Sequence, residues 1–144
     1  MSDADVLVLG SGLAGLMAAL RAAEHGHVRV VTKRRLDDAS TNWAQGGIAA
    51  VFDTRDSPAL HVRDTLRCGA GLSDPAVVRE VVREAPDRVL ELAALGVDFT
   101  RSGRRFELGR EGGHSRRRIV HAGDFTGQAR PHFGRIEQGA ADFD

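Results

Sequence analysis

Val6-Leu7-Val8-Leu9, Gly10-Ser11-Gly12-Leu13-Ala14-Gly15 and Leu16-Met17-Ala18-Ala19-Leu20-Arg21-Ala22-Ala23-Glu24 run without interruption near the start of the sequence. The first four residues are apolar and partly β-branched, the signature of a short buried strand. The last nine are strong helix formers, with Leu13, Leu16, Met17 and Leu20 on one stripe. His25-Gly26 stops the helix, and Val28-Arg29-Val30-Val31-Thr32 reads as a second strand. Strand, glycine turn, helix and strand at this length make one βαβ unit. In such a unit Gly10 permits the tight turn, Gly12 lets the backbone approach a pyrophosphate, and Gly15 allows close helix–strand packing. The exposed N–H groups at the helix start then face the phosphates. A G-x-G-x-x-G pattern is weak alone but specific between a strand and a helix, and it points to dinucleotide binding. The acidic residue expected about 20 residues on, for the ribose, is missing. Thr32-Lys33-Arg34-Arg35 stands there instead, which leaves open the 2′-phosphate of NADP or a flavin enzyme that holds its adenosine another way.

Composition narrows the classes. The 144 residues suit one domain, and 42% hydrophobic with 28% charged residues allows a folded core. The net charge is zero, so no overall field attracts nucleic acid or an anionic membrane. Lys33 is the only lysine among 20 basic residues. No apolar run approaches the roughly 20 residues that span a bilayer. Met1-Ser2-Asp3-Ala4-Asp5 lacks the basic start of a secretory signal. Cys68 alone makes neither an internal disulfide nor a multi-thiolate metal site. The expectation is a soluble, cytoplasmic protein with no metal, nucleic acid or membrane partner.

A second glycine cluster follows: Ala39-Ser40-Thr41-Asn42-Trp43-Ala44-Gln45-Gly46-Gly47-Ile48-Ala49-Ala50-Val51-Phe52. Its hydroxyls and glycines suit close approach to a flat ligand, and equally an ordinary loop that feeds a strand. Together, the GSGLAG turn, Val31-Thr32-Lys33 and this cluster resemble the start of the succinate dehydrogenase/fumarate reductase flavoprotein family. The resemblance implies FAD, contacted by Ser11, Gly12, Leu13 and Ala14, by Lys33, and by Ser40, Thr41, Asn42, Trp43, Ala44, Gln45, Gly46 and Gly47. Family members also end the second strand in Ser/Thr-Lys, which accounts for the missing acid. Membrane-bound members carry a histidine, covalently linked to the flavin, where this chain has Ser40. The resemblance therefore implies FAD held non-covalently.

Residues 57–96 read as helical, with Ser57-Pro58 and Asp74-Pro75 as cap and first-turn pairs. Val77, Val78, Val81 and Val82, then Val89, Leu90, Leu92 and Leu95, supply an apolar face, with an interruption expected at Pro86 and a stop at Gly96. Cys68 is expected to pack as a small residue and His61 to be a solvated helix residue. Val97-Asp98-Phe99-Thr100 and Arg105-Phe106-Glu107-Leu108 read as a hairpin turning at Ser102-Gly103. It leads to Arg110-Glu111-Gly112-Gly113-His114-Ser115-Arg116-Arg117-Arg118. Read blind, this is a basic glycine loop without the aromatics of a nucleic-acid site, and Glu111, His114 and His121 follow no zinc spacing rule. Family relatives that oxidise succinate carry Phe-Gly-Gly-Gln-Ser/Thr here. The branch that oxidises L-aspartate carries Arg-Glu-Gly-Gly-His-Ser, as this chain does. The resemblance thus makes Glu111 the substrate-orienting residue, receiving the α-ammonium that succinate lacks.

The resemblance covers residues 5–127, ending in Ile119-Val120-His121-Ala122-Gly123-Asp124-Phe125-Thr126-Gly127. Residues 128–144, with Pro131 and no apolar stripe, are expected to be irregular. The fold class expected is α/β: the N-terminal, incomplete part of a Rossmann-like FAD-binding fold with a parallel sheet. The implied reaction is FAD-dependent oxidation of L-aspartate to iminoaspartate for quinolinate and NAD synthesis, with oxygen or fumarate as electron acceptor. Family enzymes are several times longer and add a substrate-capping domain and a proton-transferring arginine. A chain of this length is therefore expected to be inactive alone, and two alternatives stay open: a fragment of a soluble fumarate reductase or succinate dehydrogenase relative, and a non-catalytic FAD-binding remnant.

Overall fold

The computed structural model describes residues 3–33, 35, 41 and 44–123. These fall into two compact units that part between Gln45 and Gly46. Ser40, Asn42 and Trp43, residues 124–127 and the tail 128–144 lie outside the described residues.

The first unit is the βαβ arrangement. Strand β1 (Val6–Leu9) leads through the glycine turn into helix α1 (Leu13–Ala23), and β2 (Val28–Val31) returns parallel to β1. The register runs from Val6 opposite Val28 to Leu9 opposite Val31. Asp5 fixes the lower end: its carboxylate accepts from His27 N at 2.8 Å, while its own N–H donates to His27 O at 2.9 Å. Gly10 N donates to Val31 O at 2.7 Å and closes the upper end. Leu16 is buried under α1, but Leu7 and Leu9 are 58% and 77% exposed, so β1 carries an uncovered apolar face.

The second unit packs two helices with short antiparallel strands. Helix α2 (Pro58–Cys68) starts where Ser57 Oγ accepts from Leu60 N at 3.2 Å. Helix α3 (Pro75–Ala94) starts where the Asp74 carboxylate accepts from Ala76 N at 2.7 Å and Val77 N at 3.2 Å. Each such cap contributes about 1 kcal/mol. Gly96, at φ 99°, ends α3 as its spacing predicts.

Two expectations fail here. Helix α3 runs unbroken through Pro86; the proline removes one helical hydrogen bond, and buried Val82 and Val89 anchor the turns on either side of it. The valine stripe also splits: Val82, Val89 and Leu92 are buried, whereas Val77, Val81 and Leu90 are at least half exposed.

A hairpin forms but is shifted from the expected one: β4 (Arg101–Ser102) pairs with β5 (Arg105–Phe106) and turns at Gly103-Arg104, while Val97-Asp98-Phe99-Thr100, expected as its first strand, is not a strand. Strand β7 (Ile119–Val120) lies between β3 (Ile48–Ala49) and β6 (Leu108–Gly109), antiparallel to both. Ile119, Val120, Ala50, Val97 and Phe99 are buried in this unit. Phe106 packs between Phe52 and Phe99, with ring centroids 4.9 and 5.8 Å away. No helix among the described residues is long and apolar enough to cross a membrane.

Candidate functional site

In the first unit the glycine turn is open where a ligand would need it. Gly10 sits at φ 108°, and a Cβ there would meet nothing within 4 Å. A Cβ on Gly12 would meet only Thr41 Oγ1, at 3.6 Å. A Cβ on Gly15 would overlap the Gly10 carbonyl oxygen, so the third glycine is required by packing. Helix α1 has Gly12 at its N-cap, no side-chain cap and no acidic residue in its first turn. No charge therefore offsets the positive end of its dipole. Leu13 N donates to Thr41 Oγ1 at 3.2 Å, and buried Ser11 shares a 3.0 Å hydrogen bond with Thr32. Lys33 is exposed at the end of β2. A glycine cradle before an acid-free helix start fits a dinucleotide pyrophosphate.

In the second unit the structure brings Gly46 and Glu111 together. Gly46 has φ 86°, and a Cβ there would lie 2.7 Å from Glu111 Oε1. Exposed Glu111 starts a turn in which His114 N donates to Glu111 O at 3.3 Å. Gly113 holds that turn at φ 85°, and a Cβ on it would lie 2.5 Å from Cys68 Sγ. A Cβ on Gly47 would overlap Val120 O, so Gly47 serves strand packing.

Beneath the turn lies an ion network that the residue patterns did not reveal. The Arg118 side chain has no exposed surface and donates to both Asp56 oxygens, from Nε at 2.7 Å and from Nη2 at 2.8 Å. Its Nη1 donates to Asp64 Oδ2 at 2.8 Å. That oxygen also accepts from Ser115 N at 2.8 Å and Ser115 Oγ at 2.6 Å. Burial pushes the Asp64 carboxyl up, but the hydrogen bonds from Ser115 and Arg118 prevail and hold it well below the usual carboxylate range. His61 is 5% exposed and not solvated: it packs against His114 at 5.6 Å between centroids, and its Nδ1 is buried without a partner. Burial, reinforced by the Arg118 charge, pushes its imidazole below the ordinary value. Cys68 is exposed, with Sγ 3.7 Å from Gly113 O, because α2 turns that residue outward beside the loop. Among the described residues no group of three or more His, Cys, Asp or Glu is placed to hold a metal.

A family profile described as "FAD binding domain" matches residues 5–138. The chain belongs to the FAD-binding domain family. It is 56% identical over 127 residues to L-aspartate oxidase of Streptomyces coelicolor, covering 86% of this chain and 22% of that one. It is 52% identical over 128 residues to L-aspartate oxidase 1 of Ralstonia nicotianae, covering 87% and 24%. The chain thus spans about a quarter of the length of these curated relatives. Among solved structures it resembles the Mycobacterium smegmatis Sdh1 complex, with TM-score 0.83 and 40% identity over 88% of this chain and 22% of that one. It also resembles E. coli quinol fumarate reductase FrdA, with TM-score 0.85 and 32% identity over 90% and 23%. The fold is the α/β FAD-binding fold of these flavoproteins, and FAD is the family's cofactor.

Proposed function

We propose that residues 1–127 form the FAD-binding part of an L-aspartate oxidase acting in the cytoplasm, converting L-aspartate to iminoaspartate on the route to quinolinate and NAD. The reading rests on Glu111, whose carboxylate is set over the side-chain-free Gly46. An exposed carboxylate there suits the α-ammonium of aspartate through a charge-assisted hydrogen bond. Oxidation removes the Cα hydrogen with two electrons and one N–H proton, leaving a carbon–nitrogen double bond. FAD, when bound, supplies the two-electron acceptor, and oxygen or fumarate takes the electrons finally. Gly10, Ser11, Gly12, Leu13, Ala14 and Gly15 would hold the pyrophosphate. Lys33 and the segment Ser40, Thr41, Asn42, Trp43, Ala44, Gln45, Gly46 and Gly47 would line the rest of the cofactor, without a covalent bond.

A second reading, succinate or fumarate chemistry, draws on the likeness to Sdh1 and FrdA. One substitution separates the two. Glu111→Gln, in this chain joined to the remaining length of an aspartate oxidase relative, should raise KM for aspartate about tenfold to a hundredfold. That corresponds to losing one hydrogen bond between charged groups. KM for succinate should stay within about twofold. Equal effects on both substrates would overturn the role of Glu111.

A further inference from the structure

Glu111 and His114 are the first and fourth residues of one turn, closed by the 3.3 Å bond from His114 N to Glu111 O. In such a turn the two Cα atoms lie within about 7 Å, so both side chains leave the backbone from one small patch. The chemistry of the His114 ring is set from below. Its Nδ1 lies 3.2 Å from Arg118 Nη1, and a guanidinium N–H can only donate. Nδ1 therefore accepts, and the ring proton sits on Nε2. Arg118 has little freedom to turn away, because three of its other four hydrogens are committed to Asp56 and Asp64 and its side chain is fully buried. The turn is tied down twice more, by both Ser115 bonds to Asp64 and by Arg67 Nη2 donating to Gly113 O at 3.4 Å. One face of the ring packs on His61. His114 itself is half-buried, and among the described residues no hydrogen bond is made to its Nε2.

We propose that His114 is a second substrate-binding residue: Arg118 holds it as the Nε2–H tautomer, so that it donates a hydrogen bond to a carboxylate of the molecule whose ammonium Glu111 receives. The substrate half of this inference rests on the aspartate reading above. An amino dicarboxylate presents a cation and two anions within a few bonds. A lone Glu111 would attract the one and repel the others. An uncharged N–H three residues away satisfies a carboxylate without cancelling the attraction of Glu111 for the ammonium. Asp56, Asp64 and Arg118 are then positioning residues, acting on the ligand only through His114 and the turn.

Two measurements test this separately. In the 144-residue chain, imidazole nitrogen–proton correlation spectra should show His114 as the Nε2–H tautomer. A proton on Nδ1, alone or together with Nε2, would overturn the role of Arg118. In the chain joined to the remaining length of an aspartate oxidase relative, His114→Ala should raise KM for aspartate about tenfold, the loss of one hydrogen bond to a charged group. Turnover should stay within twofold, and His114→Gln, which keeps an N–H donor, should recover most of the KM. An unchanged KM, or glutamine no better than alanine, would overturn the binding role. If the unsubstituted joined enzyme retains FAD but does not oxidise aspartate, the aspartate reading fails and takes the substrate role with it. The spectra would still decide the tautomer.

Discussion

Arg118→Met removes a buried cation and leaves two buried anions. In the unsubstituted chain the Asp56 and Asp64 side chains are 1% and 2% exposed, and each is held by Arg118 at 2.7–2.8 Å. Removing one partner of a buried pair costs about 3–5 kcal/mol, because the other charge stays desolvated. Here two carboxylates lose their buried cation, while Ser115 still donates to Asp64 and Ser57 N to Asp56, so the lower end applies. Small domains have about 5–15 kcal/mol in all, so the loss is a large fraction of the stability of the second unit. Urea unfolding followed by circular dichroism at 222 nm reads that unit selectively, since α2 and α3 have 11 and 20 residues against 11 in α1. The midpoint should fall by the equivalent of at least about 3 kcal/mol at pH 7. Adding Asp56→Asn and Asp64→Asn to Arg118→Met removes the stranded charges and should recover more than half of the loss. The pH dependence has a defined sign. In the unsubstituted chain the lowered Asp64 carboxyl contributes stability that is complete above about pH 4 and is lost as the pH falls below it. In Arg118→Met the Asp64 carboxyl keeps its Ser115 bonds but loses the lowering by Arg118, so that variant loses less stability than the unsubstituted chain on acidification. A midpoint shift below about 1 kcal/mol at pH 7, or a triple variant no more stable than the single one, would refute the account.

Two further outcomes concern the cofactor. Gly15→Ala should abolish FAD retention after desalting, as read from flavin absorbance, because its Cβ would overlap the Gly10 carbonyl and reshape the pyrophosphate turn; retention equal to the unsubstituted chain would count against that turn as the binding site. Flavin taken up by the unsubstituted chain should pass wholly into the supernatant on acid precipitation, since Ser40 has no nitrogen to bond it, and yellow protein in the pellet would contradict non-covalent binding.

The first βαβ unit was legible because each of its features is local. The glycines, helix formers and two apolar strands lie within 30 residues, and periodicity reads such spans well. The caps at Ser57 and Asp74 were legible for the same reason. The ion network was not. Arg118 is the last of three consecutive arginines, and nothing in that run distinguishes the buried one. Its burial follows from the strand ladder: Arg118 N donates to Gly109 O while Ala50 N donates to Arg118 O, so the residue extends the central strand β7. Asp56 and Asp64 lie 62 and 54 positions away. A pair at that separation leaves no trace in local spacing. His61 was misread for the same reason, since its burial depends on His114, 53 positions on.

Gly46 and Gly47 look like one feature in sequence, a flexible pair suited to a flat ligand, yet their neighbours differ. A Cβ on Gly47 would collide with the backbone of Val120, which cannot yield without parting β3 from β7. A Cβ on Gly46 would meet only the far end of the Glu111 side chain, which can swing aside. Gly47 is thus demanded by packing, and Gly46 by its backbone, whose φ of 86° strains any residue that carries a side chain. Two different stability arguments therefore explain the pair, a steric one for Gly47 and a conformational one for Gly46. The position of Glu111 over Gly46, in a turn fastened to α2 by Asp64, Ser115 and Arg118, adds a second reason for the missing side chain there.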